Sequence, residues 1–257
     1  MTTIIGMICS NGVVLGADSA SSLPPGSEEH TYEITKQKIW ISKLKHWRMM
    51  AATAGHAARG DWMKLAIERY FKESSDHALD PIKRACEIRN SILRAQENLG
   101  YERPMSNHAL IVFAAPDSCP NQILMFSGPK CQPQYFDHRK PFVAIGSGRR
   151  TAEPFLEFLR DVFWKEELPS IAEALVYVGW ALMHTVSTQG SGSGLPINMC
   201  SISSVGSPVV VQGEEANERF SRLMQRMKEA MQGVVHEFLT LDVPEDDRGI
   251  SKLKKSK

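Results

Sequence analysis

The chain has 257 residues, 42% of them apolar and 23% charged, the balance of an ordinary globular protein; a disordered chain and a disulfide-rich miniprotein are both excluded. Thirty basic side chains against 29 acidic ones leave a formal charge of +1, which gives no sign of nucleic acid or of an anionic membrane as partner. A chain this long buries roughly three quarters of its extended surface when folded, enough for a substantial core.

Residues 2–9 and 12–18 are apolar runs on either side of Ser10-Asn11-Gly12. Asn-Gly between two such runs predicts a hairpin, so the chain opens inside a strand. Residues 20–35 contain Leu-Pro-Pro-Gly-Ser-Glu-Glu and read as a loop. A second hairpin is predicted at 37–54, turning near 42–48. Two helices follow. In 57–73, Trp62, Leu65, Ala66 and Tyr70 lie at helical spacing; in 81–99, Ile82, Ala85, Cys86, Ile92 and Leu93 do so. Asp80 before Pro81 supplies an N-cap and a first-turn proline, and Gly100 suits the position after the helix.

Strands are predicted at 107–115, 121–128, 132–136 and 141–146. A helix over 151–164 carries Phe155, Phe158, Leu159 and Val162 on one face. Ser170 and Glu173 form a capping box that opens a helix over 170–187. That helix is apolar nearly all round, as a central buried helix is. Strands at 197–204 and 207–212 and an amphipathic helix over 215–239 complete the order. Residues 1–240 read as one domain and 241–257 as a polar, basic tail. Pairs of helices between groups of antiparallel strands predict an α+β fold, with two sheets face to face and helices outside.

The five cysteines are scattered, which argues for a reducing compartment rather than a disulfide framework. No Cys/His spacing suits zinc. No run of apolar residues is long enough for a membrane span, and the first residues lack a signal peptide's basic region. A soluble, cytoplasmic protein is expected.

Thr2 is the most informative residue. Threonine is small enough to permit removal of the initiator methionine. The mature chain then begins with a hydroxyl and an α-amine on one residue. An α-amine has a pKa near ~8, well below that of lysine, so it accepts a proton at neutral pH. Threonine activated by its own terminal amine is a known nucleophile arrangement.

The run Thr2-Thr3-Ile4-Ile5-Gly6, followed by Gly16-Ala17-Asp18-Ser19, resembles the start of mature proteasome β-subunits and their bacterial relatives, including HslV and bacterial proteasome-like homologues. In that family a threonine begins the first strand and an aspartate ends the second at the spacing of Thr2 and Asp18. Lys36-Gln37-Lys38-Ile39, Ala52-Thr53-Ala54-Gly55 and Ala144-Ile145-Gly146-Ser147-Gly148 resemble three further family motifs, in order and at compatible spacing.

The resemblance implies a four-layer α-β-β-α sandwich of the N-terminal-nucleophile hydrolase type. It also implies a threonine peptidase that needs no metal or organic cofactor. Thr2 is then the nucleophile and its amine the general base. Lys38 favours deprotonation of the hydroxyl, Asp18 neutralises Lys38, the Gly55 N–H stabilises the oxyanion, and Ser147 orients the amine. Lys36 and Lys43 are alternative cations for the place given to Lys38. Ser21, Lys36, Thr53 and Ala57 are the expected lining of the substrate pocket. The implied partners are copies of the chain in stacked rings and peptide or unfolded-protein substrates; an ATP-dependent unfoldase is one more that the resemblance allows.

The chain departs from the pattern in two ways. The segments between Asp18 and Lys38 and between Lys38 and Gly55 are longer than usual. Residues 187–194, where the family carries an aspartate, have no acidic residue. A non-catalytic shell subunit and an amidohydrolase acting on small amides are therefore the alternative readings.

Overall fold

The computed structural model describes residues 2–21, 34–35, 38–43, 48–73, 80–98, 107–114, 121–188, 195–204 and 208–211, together with residues 218, 220–227, 229–230 and 232–233. These residues belong to two units, Met1–Asn217 and Glu218–Lys257.

The first unit is built on two five-stranded antiparallel sheets. One has the order β10 (Phe142–Ile145), β1 (Ile4–Cys9), β2 (Gly12–Ala17), β11 (Asn198–Ser203), β12 (Val209–Val211). The other runs β5 (Ile39–Lys43), β6 (Arg48–Ala54), β7 (His108–Ala114), β8 (Gln122–Ser127), β9 (Gln132–Phe136). The hairpin predicted around Asn11-Gly12 is present, pairing Ile4 with Ala17 through to Cys9 with Gly12. The segment read as a loop differs: β3 (Ala20–Ser21) and β4 (Ile34–Thr35) pair as a short two-stranded sheet. Two paired residues on each side are too few to leave an alternating pattern in the sequence.

The sheets pack face to face. Ile4, Ile8, Val13 and Leu15 from one meet Met50, Ala52, Leu110 and Val112 from the other in one buried cluster. The alternate residues of the second sheet, Met49, Ala51, Ile111 and Phe113, pack under α1 (Ala57–Glu73) and α2 (Pro81–Glu97) through Met63, Ile67, Ile88 and Ile92. On the other side, α4 (Ile171–Thr188) lies so close to β2 that a methyl on Gly16 would sit 2.5 Å from Val178 and 2.9 Å from Leu182. α3 (Arg149–Phe163) packs beside α4 and over β10. Both faces of β1 and β2 are therefore covered, which is why every residue of both strands is buried. The predicted four layers, α-β-β-α, are the observed ones.

Local signals account for the helix starts. Asp80 accepts from the Ile82 and Lys83 N–H groups at 2.8 and 3.3 Å. The Ser170 N–H donates to Glu173 at 2.8 Å and Glu173 N–H returns to Ser170 Oγ at 3.4 Å, the reciprocal capping box. Asn11 of the first hairpin accepts from the Ile171 N–H at 2.9 Å, tying that turn to the start of α4.

Helical spacing misplaced several side chains. Trp62, Leu65, Ile82, Phe158 and Val162 are exposed rather than in the core. Ala66, Ala85, Ile92 and Leu159 of the same sets are buried as expected, and the buried stripes are completed by Met63 and Ile67, by Ile88, and by Ala152 and Leu156. Each of these helices has apolar residues on more than one stripe, and periodicity cannot say which stripe faces a sheet. Gly100 and the tail 241–257 lie outside the described residues.

In the second unit, the described residues between 218 and 233 are helical. Phe220, Leu223, Met224 and Met227 are half-buried there while Arg222, Gln225 and Arg226 are exposed, in keeping with the predicted amphipathic period.

Candidate functional site

The site is assembled where β1, β2, β6 and β10 end together. Along β1, Ile4, Gly6 and Ile8 point into the space between the sheets. Thr2 continues the same parity, which puts it at the mouth of the inter-sheet seam. Thr3 has the opposite parity and is fully buried.

The β1–β2 ladder runs one residue past the last strand pair. The Asp18 N–H donates to the Thr3 carbonyl at 3.1 Å, and the Thr3 N–H donates to Asp18 Oδ1 at 2.7 Å. The same Oδ1 receives the Lys38 ammonium at 2.9 Å. Asp18 is wholly inaccessible and the Lys38 side chain is 7% exposed. A buried ion pair survives only when its geometry is good and its remaining lone pairs are bonded; here one oxygen serves both a cation and a backbone donor. Lys38 is thereby held two hydrogen bonds from the backbone of the residue after Thr2. Burial lowers the Lys38 pKa from its ordinary 10.5, against the opposing pull of the Asp18 charge and hydrogen bond.

On the opposite flank, the Thr2 N–H donates to Ser147 Oγ at 3.2 Å. The Gly148 N–H donates to the Thr2 carbonyl at 3.3 Å. Gly146 has φ +90°, a conformation that favours glycine. A methyl on it would overlap the Thr2 carbonyl and lie 3.5 Å from Ala54 Cβ. The Thr2 carbonyl, the end of β10 and the end of β6 therefore converge on one point. Gly146→Ala is expected to cost about 3 kcal/mol, from backbone strain and from displacement of Thr2. Urea denaturation checks it; an unchanged midpoint means that the neighbouring backbone gives way freely.

Gly55 follows β6 at φ +119°, again a position that favours glycine. Asn107, 2% exposed, holds the next residue from both sides. The His56 N–H donates to Asn107 Oδ1 at 3.2 Å, and Asn107 Nδ2–H donates to the His56 carbonyl at 3.1 Å. Sequence reasoning missed this clamp. Its only trace is a polar residue one position before a strand, a signal shared with many loop residues.

The other predicted residues are placed as follows. Thr53 is half-buried on the α1 side of β6, against the backbone of Gly60. Ala57 is exposed at the first position of α1. Ser21 belongs to β3, and Lys36 lies outside the described residues. Residues 189–194, part of the segment whose sequence has no acidic residue, also lie outside them. Of the rival cations, Lys43 ends β5 at its far end from Lys38.

Among the described cysteines, burial makes Cys9 and Cys200 poor nucleophiles. Cys9, Cys86, Cys131 and Cys200 are free thiols, and burial pushes Cys9 up to about 12 and Cys200 up to about 11. Among the described residues no three His, Cys, Asp or Glu side chains come together as metal ligands would. None of the described helices is long and apolar enough to cross a membrane.

No family model and no curated protein matches the sequence. Solved structures do match the fold. The Anbu complex of Pseudomonas aeruginosa, described as a helical assembly, superposes with a TM-score of 0.70 at 13% identity, over 91% of this chain and 96% of that one. Anbu (ancestral beta-subunit) from Yersinia bercovieri gives 0.69 at 14% identity, over 93% and 97%. Anbu from Hyphomicrobium sp. strain MC1 gives 0.68 at 12%, over 94% and 100%. At such identities the likeness establishes the fold alone. It corrects the resemblance drawn from the motifs: these structural neighbours are Anbu proteins, a proteasome-like but distinct group, and not proteasome β-subunits or HslV. The motifs lie at strand ends that the architecture itself brings together, so they do not separate one group with this fold from another.

Proposed function

We propose that the chain is a threonine-type peptidase in which Thr2, freed of Met1, is the nucleophile. The observation that carries this reading is the shared Asp18 oxygen. It binds the Lys38 ammonium and the Thr3 N–H together, while Ser147 receives the Thr2 N–H from the other side. The Lys38–Asp18 ion pair is thus anchored to the backbone of the residue after Thr2, and a hydroxyl acceptor meets the Thr2 N–H; once Met1 is removed, Thr2 combines nucleophile and base in one residue.

In the proposed reaction Thr2 Oγ attacks the substrate carbonyl carbon and its proton passes to the Thr2 α-amine. The oxyanion is met by the Gly55 N–H, whose position the Asn107 clamp on His56 supports. The amine then returns the proton to the leaving nitrogen. The C–N bond breaks and an ester to Thr2 remains. Water, deprotonated by the same amine, attacks the ester and releases the acid and free Thr2. Lys38 lowers the cost of charge on Oγ, and Asp18 holds Lys38 in place. Thr53, Ala57, Ser21 and Lys36 are the proposed walls for the acyl side of the substrate.

Self-association is part of the proposal, supported by the helical assembly described for one protein of the same fold. So is a cytoplasmic location. A non-catalytic assembly subunit is the second reading, favoured by the absence of an acidic residue in 187–194.

Treatment with a peptidyl β-lactone tests the nucleophile. Intact mass is expected to show loss of Met1 and one acyl adduct, and fragmentation places that adduct on Thr2. Retention of Met1, or an adduct elsewhere, defeats the proposal and leaves the assembly reading.

The lowered Lys38 pKa has a signed consequence. If its ammonium is needed, the rate falls on the alkaline side at a pH below 10.5. Folding stability moves the other way. Between the folded and unfolded pKa values the unfolded chain binds the extra proton, so stability rises with pH there. Arginine stays charged throughout, so Lys38→Arg is expected to abolish the alkaline fall in whatever activity it retains. A pH–rate profile of both proteins checks this.

A further inference from the structure

A cavity of about 420 Å³ opens beside the candidate site, lined by His108, Ile145, Gly146, Ser147, Arg149 and Arg150. It is within the size range of small-molecule and side-chain pockets. Two arginines face it and none of its lining residues is acidic. Arg149 is partly committed, since its Nε donates to Glu153 Oε2 at 2.8 Å, and this steadies the side chain without using its terminal nitrogens. The Arg150 guanidinium makes no hydrogen bond or ion pair among the described residues. Burial, and then the Arg149 charge, lowers the His108 pKa, so at neutral pH the cavity's positive charge is that of the arginines.

The cavity's place relative to the chemistry follows from Ser147. Its Oγ receives the Thr2 N–H, and the same residue lines the cavity. The Thr2 amine must return its proton to the leaving nitrogen. The leaving portion of the substrate therefore passes beside Thr2 N and Ser147, while the acyl oxygen is directed at Gly55. We propose that this cavity is a subsite for a carboxylate carried by the leaving portion of the substrate, with Arg150 and Arg149 as its cations. Guanidinium matches carboxylate in a two-point fork, and the terminal nitrogens needed for it are available. The carboxylate is either an Asp or Glu side chain just after the scissile bond or the free C-terminus of a short leaving peptide. The assignment rests on the hydrolytic reading above.

The test uses the full-length processed protein and four substrates with one common acyl half. The first is a coumarin amide with no residue beyond the cleaved bond. The second carries an acidic leaving residue with an amidated end, the third a neutral leaving residue with an amidated end, and the fourth a neutral leaving residue with a free carboxylate. The expected result is a kcat/KM about tenfold higher for the second or the fourth than for the third; which of the two is favoured identifies the carboxylate's source. Arg150→Gln is expected to bring that ratio close to one, and Arg150→Glu to turn it below one. Equal rates on the three peptides, or a ratio unmoved in both variants, overturn the subsite while coumarin release keeps the hydrolase. No coumarin release by the unmutated protein, with none of the peptides cut, overturns the hydrolytic reading and the subsite with it.

Discussion

Thr2→Ala is expected to lower peptide hydrolysis by at least about 10³-fold while leaving the folded protein intact. The substitution removes Oγ and keeps the α-amine, so it separates nucleophile from base. Alanine is also small enough for Met1 to be removed, which mass spectrometry verifies before the rates are compared. Thr2 is only half-buried, and its backbone bonds to Ser147 and Gly148 do not involve the lost group. The melting temperature is accordingly expected to move by no more than a few degrees. Thr2→Ser restores a hydroxyl at the same place and is expected to recover part of the rate. Equal turnover by Thr2→Ala and the unmutated protein removes Thr2 from the chemistry. Loss of turnover together with loss of folding assigns it a structural part instead.

The second large effect concerns stability. Asp18→Ala is expected to cost about 3–5 kcal/mol, because it leaves Lys38 buried without this counter-charge. It also removes the acceptor of the Thr3 N–H. Breaking one side of a buried pair is costlier than removing both. Asp18→Ala with Lys38→Met is therefore expected to regain part of the loss, since methionine fills similar space without a charge. Urea midpoints of the two single variants and the double one give the coupling. A double variant no more stable than Asp18→Ala would place the cost in the Thr3 contact rather than in the ion pair. Activity discriminates further: the double variant is expected to stay inactive however much stability returns, because the cation proposed to ease charge on Thr2 Oγ is gone.

The fold and the site were legible in the sequence to different depths. Strand and helix positions were readable because burial on both sides makes β1, β2, β7 and β8 nearly continuous apolar runs, and because Asp80, Asn11-Gly12 and the Ser170/Glu173 box act within a few residues. The outward faces of the helices were not readable. Trp62 and Leu65 have the spacing of core residues yet are exposed. What settles their fate is which stripe of α1 meets Met49 and Ala51 of the second sheet, a matter of docking. Motif reasoning pointed to Asp18 and Lys38 as a pair and to Ser147 as a companion of Thr2, and their contacts are present. It also pointed to the wrong relatives, for the motifs belong to a shared architecture.

Taken by itself, the sequence determined the main strands and helices apart from the short β3–β4 pair, the hairpin that starts the chain, and the helix caps at Asp80 and Ser170. These are local properties, set by side-chain chemistry and by periods of two and 3.6 residues. Only the tertiary structure decided that one oxygen of Asp18 serves both Lys38 and Thr3, that Asn107 holds His56, and that Arg149 and Arg150 face a cavity beside Ser147. The reason is physical. The paired residues of the site are up to 145 positions apart in the chain, and groups so distant meet only after two sheets have stacked and brought their strand ends to one edge.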